Sequence, residues 1–148
     1  MTVDAVTIED DGPVLQATVL LSGCTAERAL SAFTDPAELA KWWGGATLRT
    51  SLTAGGPYTV EFTALGQTMI GQVVSYVPAS ALEFTWRWAH EPEAPPRTVA
   101  VRASSGDQTS LTIRHGPHGD GASERSARAD HRAGWEYFLP KLVSSLSG

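Results

Sequence analysis

The chain has 148 residues, of which 42% are hydrophobic and 18% are charged, and its formal net charge is -5. This length suits one domain with a single buried core. The composition excludes a disordered chain, and no apolar run reaches the ~20 residues that a membrane helix needs. The acidic balance and the scattered arginines argue against a nucleic-acid partner.

The N-terminus carries no visible secretion signal. Residues 1–12 are acidic and lack a charged region followed by an apolar one, so we expect a flexible N-terminal segment and a cytoplasmic protein. Cys24 is the only cysteine, which permits no internal disulfide and agrees with a reducing compartment. The folded domain is expected to cover residues 13–148.

Two short helices are predicted directly after the first strand. Residues 14–21 alternate between two sets of side chains, which is typical of a half-buried strand. Thr25 can cap one helix, and Asp35 can cap a second one that has Pro36 at its first position. The glycine pair at 44–45 supplies the left-handed conformations that end this helix.

After the glycine pair the periodicity changes to two, which favours an antiparallel meander with short turns. The clearest alternation lies in residues 81–88, where four large apolar side chains face one way. Residues 89–96 contain three prolines and predict a loop. Residues 98–103 and 109–115 form the last predicted hairpin, and His115 ends its inward-facing set. The four apolar side chains are Leu82, Phe84, Trp86 and Trp88.

The final element is predicted to be a long helix from about Ser123 to Ser147. Its second half carries an apolar stripe that begins at Trp135, and the stripe extends backward to His131. Its first half is polar, so we expect this half to be weakly attached and to move when a ligand enters. Pro140 should remove one backbone hydrogen bond and bend the helix.

The order of these elements and several local motifs resemble one protein family, named for homologues of the activator of a heat-shock-protein ATPase. The resemblance covers about residues 13 to 147. The motifs that carry it are Phe33-Thr34-Asp35-Pro36, Trp42-Trp43, Gly55-Gly56-x-Tyr58, Leu82-Glu83-Phe84-Thr85-Trp86, Leu111-Thr112-x-x-His115 and Gly134-Trp135.

The resemblance implies an α+β helix-grip fold of the START-like (SRPBCC), Bet v 1-like kind. Such a fold has a curved antiparallel sheet of about six to seven strands, two short helices after strand 1, and a long C-terminal helix across the concave face. It also implies a ligand cavity between the sheet and that helix. Plain core packing is the competing interpretation for each aromatic candidate. The aromatic ligand-binding candidates are Trp43, Phe62, Phe84, Trp86 and Trp135.

His115 and His131 are the polar candidates for the same cavity. Either could hydrogen-bond a ligand or act as an acid or base, and the competing interpretation is a partly exposed histidine at an element end. No metal is predicted, because a glycine–proline loop does not put His115 and His118 on one helix face. No cofactor or nucleophile motif is apparent.

Three functions stay open at this point. The leading hypothesis is a non-catalytic binder of a small hydrophobic molecule, either lipid-like or aromatic. The second is an enzyme of cyclase or hydrolase type that uses His115 and His131. The third is a co-chaperone-like module that stimulates a heat-shock-protein ATPase, and only the family name suggests it.

Overall fold

The computed structural model describes residues 5–146. Within them eight strands form one sheet in the order β1-β2-β8-β7-β6-β5-β4-β3, and all neighbouring strands are antiparallel. The strands are β1 (Ala5–Asp11), β2 (Val14–Leu21), β3 (Thr47–Thr50), β4 (Pro57–Phe62), β5 (Gln67–Val77), β6 (Ala81–Trp88), β7 (Arg97–Ser104) and β8 (Thr109–Gly116). The helices are α1 (Ala26–Thr34), α2 (Pro36–Trp42) and α3 (Ala122–Leu146).

This arrangement confirms the predicted α+β helix-grip fold, with one difference in the strand count. The sheet has an additional edge strand because Ala5–Asp11 pairs with β2 along its whole length. Most of its side chains are exposed, so hydrophobic alternation gave little signal for it. The prediction of a flexible segment over residues 1–12 is wrong for residues 5–11, and residues 1–4 lie outside the described part.

Local capping chemistry fixes the two short helices as predicted. The Thr25 side chain accepts a hydrogen bond from the backbone N–H of Arg28 at 3.1 Å. The Asp35 carboxylate accepts from the N–H of Ala37 at 2.9 Å, and Pro36 occupies the first turn of α2. These bonds satisfy backbone donors that a helix start leaves without intrahelical partners.

The core lies on the inward face of the sheet, beneath the helices. Two large aromatic side chains tie the sheet and α2 to the end of α1. The indole N–H of Trp42 donates to the Ala32 carbonyl at 2.8 Å, and the Tyr58 hydroxyl donates to the Phe33 carbonyl. Phe84 stacks on Tyr58 with ring centroids 3.9 Å apart. Trp42 and Tyr58 therefore bury their apolar rings without leaving their polar atoms unsatisfied.

Replacing Gly71 by alanine should lower the free energy of unfolding by about 2–3 kcal/mol. Gly71 is buried in β5, and an added methyl carbon would lie 2.1 Å from the carbonyl oxygen of Thr85. Strands β5 and β6 would have to separate locally to relieve that overlap. Urea unfolding followed by tryptophan fluorescence measures the change. Gln72→Ala, at the exposed neighbouring position, is the control and should change stability little.

The long helix α3 continues from Ala122 through Pro140 to Leu146. Pro140 has no backbone N–H, so the carbonyl of Glu136 lacks its helical hydrogen-bond donor. Both residues lie on the exposed side of the helix, where water can donate to that carbonyl instead. None of the helices within residues 5–146 is long and apolar enough to cross a bilayer.

The polar first half of α3 is bound to the N-terminal hairpin. Arg128 donates to the Asp10 carboxylate at 2.9 Å and to the Gly12 carbonyl at 2.8 Å, and Arg132 donates to the Ile8 carbonyl at 3.0 Å. The expectation of a weakly attached half is wrong. The arginines contact β1, the strand that the sequence did not reveal.

Candidate functional site

A cavity of about 550 Å³ opens between the inward face of the sheet and α3. Its sheet side includes Phe62 of β4, the alternate residues Trp86 and Trp88 of β6, and His115 of β8. Its other wall is one face of α3, including Gly134, which leaves room above the helix backbone. The aromatic lining consists of Trp43, Phe62, Trp86, Trp88, Trp135 and Phe138.

Trp43 lies at the centre of these aromatic rings. It stacks on Trp42 with centroids 4.5 Å apart, and its ring centroid lies 5.3 Å from that of Phe62 and 5.6 Å from that of Trp135. Packed aromatic pairs at these distances hold one another in place. This part of the cavity wall is therefore apolar and flat-faced.

Six of the seven side chains predicted for the site line this cavity, namely Trp43, Phe62, Trp86, His115, His131 and Trp135. The seventh, Phe84, does not. It is fully buried beside Tyr58, in the part of the core that the cavity does not reach. Alternation along β6 gave the correct face for Phe84, but it could not show how far along the strand the cavity extends.

His115 is buried at the inner end of the cavity, with 1% of its surface exposed. The indole N–H of Trp135 donates to Nδ1 of His115 at 3.0 Å. Because an indole nitrogen can only donate, neutral His115 carries its own proton on Nε2. This Nε2 is buried and has no hydrogen-bond partner among the described residues.

His118, which the sequence argument rejected as a metal ligand, lies beside His115 and His131. The loop after β8 passes the β1–β2 turn, where the His118 backbone N–H donates to the Pro13 carbonyl at 2.7 Å. Its imidazole is thereby buried, and its Nε2 lies 2.9 Å from Nδ1 of His131. His115 and His131 stack with ring centroids 4.4 Å apart. The close spacing of His115 and His118 in the sequence was the available signal.

Burial keeps this histidine cluster, His115, His118 and His131, neutral. Desolvation lowers the pKa of His131 to about 3 and lowers the pKa of His115 well below its ordinary value. Burial also lowers the pKa of His118, and the nearby Arg97 guanidinium acts in the same direction on all three imidazoles. Arg97 is itself buried and pairs with Glu124 at 2.6 Å.

Neutral imidazoles next to a cavity can accept a proton, hydrogen-bond a ligand or coordinate a metal. The ligand atoms of the histidine cluster all lie within 4.8 Å of one another. The reason given for excluding a metal is therefore wrong. A shared helix face is unnecessary, because β8, the following loop and α3 bring the three side chains together.

The fold and this cavity define a START-like helix-grip domain. The chain belongs to the family described as "Activator of Hsp90 ATPase homolog 1-like protein", whose sequence model matches residues 24–147. No curated protein sequence matches the chain significantly.

Several solved structures share the fold. DynU16, from the dynemicin biosynthetic locus, has 25% identity and a TM-score of 0.76 over 92% of this chain, which spans only 48% of DynU16. Protein Ms6760 from Mycobacterium smegmatis has 19% identity and a TM-score of 0.78, covering 97% of this chain and 98% of its own. An HSP90 activator from Plasmodium falciparum has 20% identity and a TM-score of 0.72, covering 88% and 94%.

Proposed function

We propose that this protein binds a small hydrophobic molecule, aromatic or lipid-like, in the cavity between the sheet and α3. The observation that carries the proposal is the cavity itself, about 550 Å³ in volume and walled by six aromatic side chains. Pockets of this size and character suit small-molecule ligands. Flat aromatic walls favour an aromatic ligand, because offset stacking adds to the gain from burying apolar surface.

A bulky side chain at position 134 should block ligand binding while leaving the fold intact. Gly134 borders the cavity, and an added Cβ there would meet no atom within 4 Å. Gly134→Leu therefore places its side chain in the cavity, and it also replaces a poor helix former by a good one. We expect at least about a tenfold loss of affinity, since the ligand and the leucine compete for one volume.

The measurement begins with native mass spectrometry of the purified protein, followed by extraction and identification of the bound molecule. Quenching of tryptophan fluorescence by that molecule then gives the affinity of each variant. Ala133→Leu is the matched control, because Ala133 is exposed and lies one residue away on the same helix. Equal binding by the two variants would contradict the proposal.

Acid–base catalysis in the same cavity is a second candidate function. It is favoured by the 2.9 Å contact between Nε2 of His118 and Nδ1 of His131, which can orient the His131 ring. If His131 donates this proton, its Nε2 is left as a base beside the cavity. A cyclase- or hydrolase-type reaction would use such a base, with His115 beside it. If such a reaction is detected, a turnover rate that His131→Ala leaves unchanged would refute this function.

Stimulation of a chaperone ATPase is the third candidate, and it rests on the family description. The structural neighbour with that activity in its name is 20% identical, which establishes the shared fold alone. Steady-state ATPase assays with the host's own heat-shock protein test it, and a rate unchanged by this protein would remove it. For all three candidates we propose a cytoplasmic location, in keeping with the single cysteine.

A further inference from the structure

We propose that His115, His118 and His131 bind one divalent transition-metal ion, zinc(II) or a chemically similar ion, at the inner end of the cavity. Their ligand nitrogens lie within 4.8 Å of one another. A tetrahedral zinc ion with Zn–N bonds of about 2.0–2.1 Å holds its nitrogens roughly 3.3 Å apart. Modest side-chain rotations therefore suffice to close the site.

An unsatisfied nitrogen in the histidine cluster is the second line of support. Nε2 of His115 is buried without a hydrogen-bond partner in the described part of the chain. Buried polar atoms usually have partners, and an ion or water often accounts for an exception. The ion would take Nε2 of His115, together with Nε2 of His118 and Nδ1 of His131, which now face each other at 2.9 Å.

The chemistry of these ligands indicates which ion the site prefers. Three imidazoles suit zinc, copper, cobalt or nickel, whereas magnesium and calcium prefer oxygen ligands. The Arg97 charge would oppose a cation, but the Glu124 carboxylate 2.6 Å away offsets it. Because His131 borders the cavity, the fourth coordination position would face the ligand space, as in catalytic zinc sites.

The hydrogen bond from Trp135 to His115 opposes metal binding and provides a specific test. To coordinate through Nε2, His115 must carry its proton on Nδ1, where the Trp135 N–H now donates at 3.0 Å. Metal binding therefore has to break this hydrogen bond. Trp135→Phe removes the competing N–H, so we expect this variant to bind the ion about tenfold more tightly than the wild type.

The experiment uses untagged, chelator-treated protein titrated with zinc(II) against a chromophoric chelator and, separately, with cobalt(II). We expect one zinc ion per chain and visible cobalt absorption bands of a tetrahedral site. His115→Gln, His118→Gln and His131→Gln should each weaken zinc binding by more than about tenfold. His90→Gln, which changes the fourth histidine, is exposed and serves as the matched control with unchanged binding.

Circular dichroism and thermal melts identify the variants that remain folded, and His118→Gln is the main test because His118 lies in a loop outside the regular elements. Failure of the wild type to bind zinc stoichiometrically overturns the proposal. Equal affinities for His90→Gln and folded His118→Gln overturn it too. Since only metal ions are titrated, a negative result here is independent of whether the cavity binds a hydrophobic ligand.

Discussion

Lowering the pH from about 6.5 to about 5 should reduce the free energy of unfolding of the metal-free protein by roughly 2 kcal/mol through His131 alone. Burial lowers the pKa of His131 from 6.5 to about 3, so the folded protein keeps this imidazole neutral over the whole interval. The unfolded chain takes up a proton below pH 6.5. Stability therefore declines as the pH falls from 6.5 toward 3.

His115 should add to this loss, because burial and the neighbouring imidazoles lower its pKa in the same direction. Urea unfolding at several pH values, with a chelator present, measures the slope. His131→Asn removes one titrating group. The slope of the free energy of unfolding against pH should therefore fall by roughly 1.4 kcal/mol per pH unit, which corresponds to one proton. Gln72→Ala, which changes an exposed residue that does not ionise, should keep the wild-type slope. A slope that His131→Asn leaves unchanged would show that His131 is not held neutral by burial.

Glu124→Gln should lower the free energy of unfolding by about 3–5 kcal/mol, since it leaves a buried charge without its partner. The Arg97 side chain is 4% exposed, and its guanidinium lies 2.6 Å from the carboxylate of Glu124, whose side chain is 18% exposed. This pair joins β7 to the first turn of α3. Chemical denaturation monitored by circular dichroism measures the loss.

Two further variants test whether the loss of stability comes from leaving a buried charge unpaired or only from breaking an ion pair. The double variant Glu124→Gln with Arg97→Met removes both charges, so it should be more stable than Glu124→Gln alone. Glu61→Gln breaks the exposed ion pair between Glu61 and Arg49, whose side chains are 42% and 69% exposed, respectively. It should lower the free energy of unfolding by less than about 1 kcal/mol. Similar decreases in the free energy of unfolding for Glu124→Gln and Glu61→Gln would show that burial of the Arg97 charge does not determine the loss.

The elements that local chemistry specifies were predictable from the sequence. Asp35 and Pro36 define the start of α2 because capping depends on residues within one turn. Strand β6, Ala81–Trp88, agrees with the predicted alternation because large apolar side chains recur at every second residue there. The β1 strand was missed, since an exposed edge strand is held by backbone pairing and leaves little apolar alternation.

The candidate site was predictable only in part. Alternation placed Trp86 and His115 on the inward face correctly, but the same pattern included Phe84, which packs in the core beside Tyr58. The face of a strand is a local property, whereas the extent of a cavity depends on which distant side chains fill the space opposite.

The sequence by itself determined the fold class, the two capped helices, the inward sets of β6 and β8, and the apolar half of α3. The fold class followed from the family resemblance, whereas the helices and the inward sets follow from periodicity and capping between near neighbours in the chain. Only the tertiary structure decided that the polar half of α3 is bound to β1 and that His118 joins His115 and His131. The first contact joins residues more than a hundred positions apart, and the second depends on the loop after β8, which the His118 N–H holds against the turn at Pro13.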